Sequence, residues 1–139
     1  MVPDSIPSTA VGKTAAVGYQ IGVRRTFRCT PEAALVLLLS ATGMTIWLGG
    51  AIARLSGPYR LLDGTCGEVR VWHPESHLRL TWQPPGWAQP SSIQIRVLLA
   101  KTGTTIAFHQ ERLASPAERA AMQGHWERVL ARLGELLIT

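Results

Sequence analysis

Two alternating strands that run directly into one long amphipathic helix constrain this chain more than any other feature. Ser91–Leu99 (SSIQIRVLL) and Thr104–Gln110 (TTIAFHQ) alternate, and the helix Ser115–Leu137 (SPAERAAMQGHWERVLARLGELL) follows at once. Met122, Trp126, Val129, Leu130, Leu133, Leu136 and Leu137 recur at three- and four-residue steps and form one stripe. Arg119, Gln123, Arg128, Arg132 and Glu135 lie largely outside it. Ser115 suits the N-cap, Pro116 the first helical position and Glu118 the carboxylate position of a capping box. A helix with one broad apolar stripe needs a sheet with one apolar face, which predicts a single α+β core. Burying that stripe is worth on the order of 10 kcal/mol before conformational entropy is subtracted.

The rest of the chain supplies the sheet. Residues 1–17, with Pro3, Pro7, Ser5, Ser8 and Gly12, read as a flexible leader, and residues 18–139 as one domain. Tyr19–Phe27 alternates as a strand, Thr30-Pro31-Glu32 starts a first helix over Pro31–Ser40, and a short helix covers Thr42–Leu48. Short strands are expected within Ala51–Leu55 and Pro58–Leu62. Gly67–His73 and His77–Gln83 form a hairpin about Pro74-Glu75-Ser76. The expected order is β-α-α-β(about six)-α. At 139 residues such a domain buries about two-thirds of its unfolded surface.

Composition narrows the function classes. Apolar content of 46% with 17% charge is that of a globular chain. The net charge of +5 comes mostly from arginine, but the arginines are scattered singly apart from Arg24–Arg25. Arg70, Arg79 and Arg96 align on the outer sheet face as a basic patch. Nucleic-acid binding needs aromatic interleaving or a groove-entering element, and neither occurs, so no nucleic-acid partner is expected. Ala33 to Ala53 carries no charge, yet Gly43, Gly49 and Gly50 punctuate it and Ser40, Thr42 and Thr45 dilute it, so a buried helix pair is expected rather than a membrane span. Cys29 and Cys66 lack metal-ligand spacing and suit free thiols in the cytoplasm, and the N-terminus has no secretory pattern. His73 and His77 (HxxxH) flank a turn without a third ligand, so no metal is expected, and no nucleotide-cofactor or hydrolase motif appears.

The element order resembles one known group, as do the segments GEVRVWHPESHLRLTWQPPGW (67–87), SSIQIRV (91–97), TTIAFHQERL (104–113) and ERAAMQGHWERVLARL (118–133). That group is the SRPBCC (START/Bet v 1-like) superfamily, in the branch of the activator of Hsp90 ATPase C-terminal domain. The resemblance runs over roughly Tyr19 to Leu137. It implies a helix-grip fold, in which a curved antiparallel sheet wraps the long C-terminal helix around a hydrophobic cavity. Members bind lipids, sterols, hormones or polyketides, and some are cyclases. The Asn/Trp-rich motif on which ATPase stimulation relies in that family does not occur in this chain.

Pocket candidates follow: Phe27, Met44, Trp47, Trp72, Trp82, Phe108, Met122 and Trp126, with Arg25 as the one charged member. Strand parity turns Arg25 inward, where a guanidinium needs a carboxylate or an anionic ligand. The rarity of buried arginine favours instead a strand-end position with its head in water. His109 and Glu111 share the face opposite Ile106 and Phe108, a pair without a nucleophile. The expected function is binding of a small hydrophobic or amphipathic ligand between sheet and C-terminal helix, as a monomer or homodimer, with no cofactor and no catalytic residue assigned. A polyketide cyclase/aromatase-like enzyme and a co-chaperone-like interaction module are the alternatives. The stripe places Trp126 in the core, so Trp126→Ala is expected to cost roughly 3–5 kcal/mol in chemical denaturation; an unchanged midpoint would remove it from the core.

Overall fold

A computed structural model describes residues 13–14, 18–74 and 77–137. In chain order the elements are β1 (Lys13–Thr14), β2 (Gly18–Phe27), α1 (Pro31–Leu39), α2 (Ala41–Trp47), β3 (Gly57–Arg60), β4 (Cys66–His73), β5 (His77–Trp82), β6 (Ser91–Ala100), β7 (Gly103–Leu113) and α3 (Pro116–Leu137). The strands form one antiparallel sheet in the order β1-β2-β7-β6-β5-β4-β3. This is the expected helix-grip α+β fold. Helix α3 lies mainly across β2 and β7, and α1 covers β6 and β7. The β5–β4–β3 side of the sheet has the least helical cover, and that asymmetry decides where a cleft can open.

Local chemistry explains the helices. The Thr30 hydroxyl accepts from the amide of Ala33 at 3.1 Å, and Pro31 occupies the first turn of α1. Ser40 then does two jobs: its backbone and hydroxyl donate to the Leu37 carbonyl, ending α1, and its oxygen accepts from Gly43 at 3.0 Å, starting α2. Gly43 is required at this elbow because a Cβ there would stand 1.8 Å from the Leu37 carbonyl oxygen. The Trp47 indole donates to the Leu38 carbonyl at 2.8 Å and locks α2 against α1. At α3 the Ser115 hydroxyl accepts from Glu118 at 3.1 Å, while the Glu118 carboxylate accepts from the amide of Ala114, one residue before the usual capping-box partner.

The structure differs from expectation in two segments, and one ladder carries an irregularity. Lys13–Thr14 pairs with Gly18–Tyr19, so part of the expected leader joins the sheet, and the remainder, 1–12 and 15–17, lies outside the described residues. Ala51–Leu55 is irregular rather than a strand; in it the Ile52 amide meets the Met44 sulfur at 3.5 Å. The β2–β7 ladder shifts register between Tyr19 and Ile21, opposite Gln110–Leu113, where Arg112 takes φ 65°. This is bulge geometry, with a non-glycine residue in the left-handed region. The central residues of the expected β4–β5 turn, Glu75 and Ser76, lie outside the described residues.

The core is one cluster under α3, and its centre is aromatic. Trp126 stacks on Phe108 with ring centroids 4.5 Å apart and planes at 14°, and Trp47 approaches Phe108 at 6.5 Å. A polar chain runs beside the stack. The Trp126 indole donates to Gln110 Oε1 at 2.9 Å, Gln110 Nε2 donates to Ser91 Oγ at 2.9 Å, and Ser91 donates to the Trp82 carbonyl at 3.0 Å. Gln110 and Ser91 are fully buried, so each bond satisfies a group that water cannot reach. Replacing Gln110 with Leu keeps most of the volume but strands the Trp126 N–H, at about 1–3 kcal/mol for that group alone. Denaturant titration of Gln110→Leu is expected to show at least that loss; wild-type stability would mean the indole is not anchored through Gln110.

Candidate functional site

The expected pocket residues separate into three places. Phe27, Met44, Phe108, Met122 and Trp126 are buried in the core, so the space beneath the middle of α3 is filled with side chains. Phe27 reaches that core because α3 carries Gly134 where it passes; a Cβ there would lie 2.8 Å from the Phe27 ring. Trp47 and Trp72 line an apolar cleft at the less covered side of the sheet. Trp82 sits apart, beside Trp87 and His125. Arg25 takes the favoured strand-end position rather than a place in a pocket: it stands opposite Ile106 on the helix side, yet it is exposed and its guanidinium lies 5.6 Å from the Phe27 ring centroid. Its position near the sheet edge lets the long side chain reach water while its stem covers Phe27.

The cleft lies between α1 and the β4–β5 hairpin. Leu35, Leu38 and Leu39 form one wall, Leu78, Ile95 and Val97 the other, and Trp47 and Trp72 complete the apolar lining. His73, Pro74 and His77 complete the lining at the hairpin end. Its cavity volume is only about 20 Å³, within about 310 Å³ of free space that includes what opens to solvent. It is therefore a narrow apolar slot rather than a preformed chamber. The His73 and His77 rings are 5.4 Å apart. Burial, and then the nearby charges of His73, Arg96 and Arg79, hold His77 below the usual imidazole range.

A second polar feature lies beside the core. His125 packs edge-on against Trp126 at 4.6 Å and lies 6.2 Å from Trp82, which in turn meets Trp87 edge-on at 5.3 Å. His125 Nε2 and Trp82 Nε1 are both buried without a hydrogen-bond partner among the described residues. Burial and the nearby Arg128 push the His125 pKa down, while the Trp47 carbonyl at the ring pulls the other way. Neither this cluster nor the inward placement of Gln110 was picked out by pattern. A polar residue on inward parity between Phe108 and a helical tryptophan was the signal available.

The His109–Glu111 pair faces the other side of the sheet. His109 Nε2 meets Gln20 Oε1 at 3.0 Å, its Nδ1 lies 3.7 Å from Glu111, and Glu111 pairs with Arg79 at 3.3 Å. Together these form a surface network. Among the described residues no group of three or more His, Cys, Asp or Glu is placed to hold a metal, and no helix is long and apolar enough to cross a membrane.

Comparison with known proteins agrees with this geometry. The family described as activator of Hsp90 ATPase homolog 1-like protein matches residues 42–137, and the chain belongs to it. No curated protein matches the sequence. Among solved structures, CalU16 from Micromonospora echinospora is 18% identical with a TM-score of 0.71, over 86% of this chain and 74% of that one. DynU16, from the dynemicin biosynthetic locus, is 16% identical with a TM-score of 0.73, and the chain spans 47% of it while 86% of the chain is covered. The Aha1 dimer from Colwellia psychrerythraea is 19% identical with a TM-score of 0.65, over 85% of this chain and 95% of that one. At these identities the likeness is one of fold.

The depressed His125 titration has a sign that can be checked. The unfolded chain takes up a proton near the ordinary value of 6.5, and the fold does so only at lower pH. Stability from this group is full above that range and falls as pH drops through it. The melting temperature is expected to fall between pH 7.5 and 5 less steeply for His125→Gln than for the wild type; parallel profiles would mean that His125 does not titrate differently on folding.

Proposed function

We propose that this family member binds a small hydrophobic or amphipathic ligand, without transforming it, in the slot between α1 and the β4–β5 hairpin. The observation that carries the reading is the slot's lining: eight aliphatic or aromatic side chains on three faces, with His73 and His77 at the hairpin end. An apolar body seated there displaces little ordered water, and the imidazoles at the hairpin end can hydrogen-bond a polar end of the ligand. Because the slot is narrow, binding requires α1 and the hairpin to part. The reading is for binding rather than catalysis because Arg25 points to water and the slot's polar side chains are the two histidines. The free thiols of Cys29 and Cys66 suit a reducing, cytoplasmic setting. Residues 18–139 act as one domain in this account, as a monomer or homodimer.

Native mass spectrometry of the protein purified from its own host, against its denatured mass, tests the proposal. A bound small molecule that leaves on denaturation is expected, and the same spectrum gives the oligomeric state. Trp72→Ala is expected to weaken that ligand about tenfold or more while the fold is retained, since Trp72 is only half-buried. A clean apo mass, together with no melting shift across a broad hydrophobic panel, would contradict it.

A further inference from the structure

The outer face of the sheet holds a second cleft of opposite character. Its cavity volume is about 510 Å³, so it is open where the inner slot is narrow. Thr81 and Ser92, paired across β5 and β6, lie in it, and Arg70, Arg79 and Arg112 line it with Pro90. The Thr81 hydroxyl accepts from the Glu68 amide at 2.8 Å, which leaves its own proton available to a ligand.

The arginines are only partly neutralised. Arg79 meets Glu111 through one nitrogen at 3.3 Å, and Arg70 meets Glu68 through one nitrogen at 3.5 Å with both side chains well exposed. The exposed Arg70–Glu68 pair is weak, and in both pairs the single contact leaves further guanidinium N–H donors open. No carboxylate among the described residues pairs with Arg112. Arg112 is also the one non-glycine residue with positive φ among the described residues, 65°, and Gln89 Nε2 donates to its carbonyl at 2.9 Å. The bulge that costs this backbone strain sets an unpaired guanidinium on the rim of the cleft.

We infer that the Arg70–Arg79–Arg112 cleft, with the Thr81 and Ser92 hydroxyls, is a binding site for a phosphoryl group. Forked guanidinium donors and two hydroxyls match the several acceptor oxygens and near-double charge of a phosphate better than a single carboxylate. The site lies on the opposite face of the sheet from the apolar slot and stands whether or not that slot is occupied.

The test is an amide-shift titration of the full chain at constant ionic strength, with inorganic phosphate in one arm and glycerol 3-phosphate in the other. Saturable shifts centred on Thr81 and Ser92 are expected in at least one arm; tighter binding of the ester assigns the ligand to phosphomonoesters. Arg70→Gln and Arg112→Gln are each expected to weaken binding about tenfold, while Arg24→Gln, on a distant strand, leaves it unchanged. Arg112→Gly is expected to lose binding and keep the wild-type melting temperature, since glycine accepts the positive φ. Linear shifts without saturation, equal weakening by Arg24→Gln, or acetate binding as tightly as phosphate would overturn the assignment.

Discussion

The stack of Trp126 on Phe108, tethered through Gln110, is the interaction on which the arrangement depends. A tryptophan can be wholly buried only if its N–H is satisfied, and Gln110 does this from within the sheet. Because Gln110 also binds Ser91, which binds the Trp82 carbonyl, one polar chain joins α3 to β7, β6 and β5. The bonds are directional where the surrounding apolar contacts are not. They therefore fix the rotation of α3 on the sheet as well as its docking.

A helix held this tightly leaves no room beneath its centre, and the free space moves elsewhere. With α3 over β2 and β7 and α1 over β6 and β7, the inner face toward β4 is the least covered. Trp47, bonded to the Leu38 carbonyl, fills the boundary between the solid core and the slot. The sheet thus offers an apolar slot on its inner face and a basic cleft on its outer face. Strand alternation separates the two: Leu78 lines the inner slot, and Arg79 and Thr81 line the outer cleft.

Much of this was legible in the sequence because local chemistry and packing agree. Helix α3 has its cap, its proline and its stripe in one place, and Ser92–Val97 alternates cleanly. The legible part stops where a residue's fate depends on distant neighbours. Gln110 reads as a polar strand residue until Trp126 and Ser91 supply partners from 16 and 19 residues away. Ala51–Leu55 has strand-like composition but follows a glycine pair and gains no ladder partner. Which members of the aromatic pool fill the core and which line an opening is set by helix placement, not by residue type: Phe108 and Trp126 are buried, while Trp72 and Trp82 are half-buried.

The central claim is that the core under α3 is solid and that ligands enter between α1 and the β4–β5 hairpin. Methyl-resolved NMR tests this directly, with titration of a medium-chain fatty acid as an amphipathic probe. The account predicts saturable shifts at Leu35, Leu39 and Val97, with Ile93, Leu130 and Leu133 unmoved. Shifts centred on the core methyls would place the cavity under α3 after all, and no saturable shift at any methyl would contradict ligand binding by this fold's inner face.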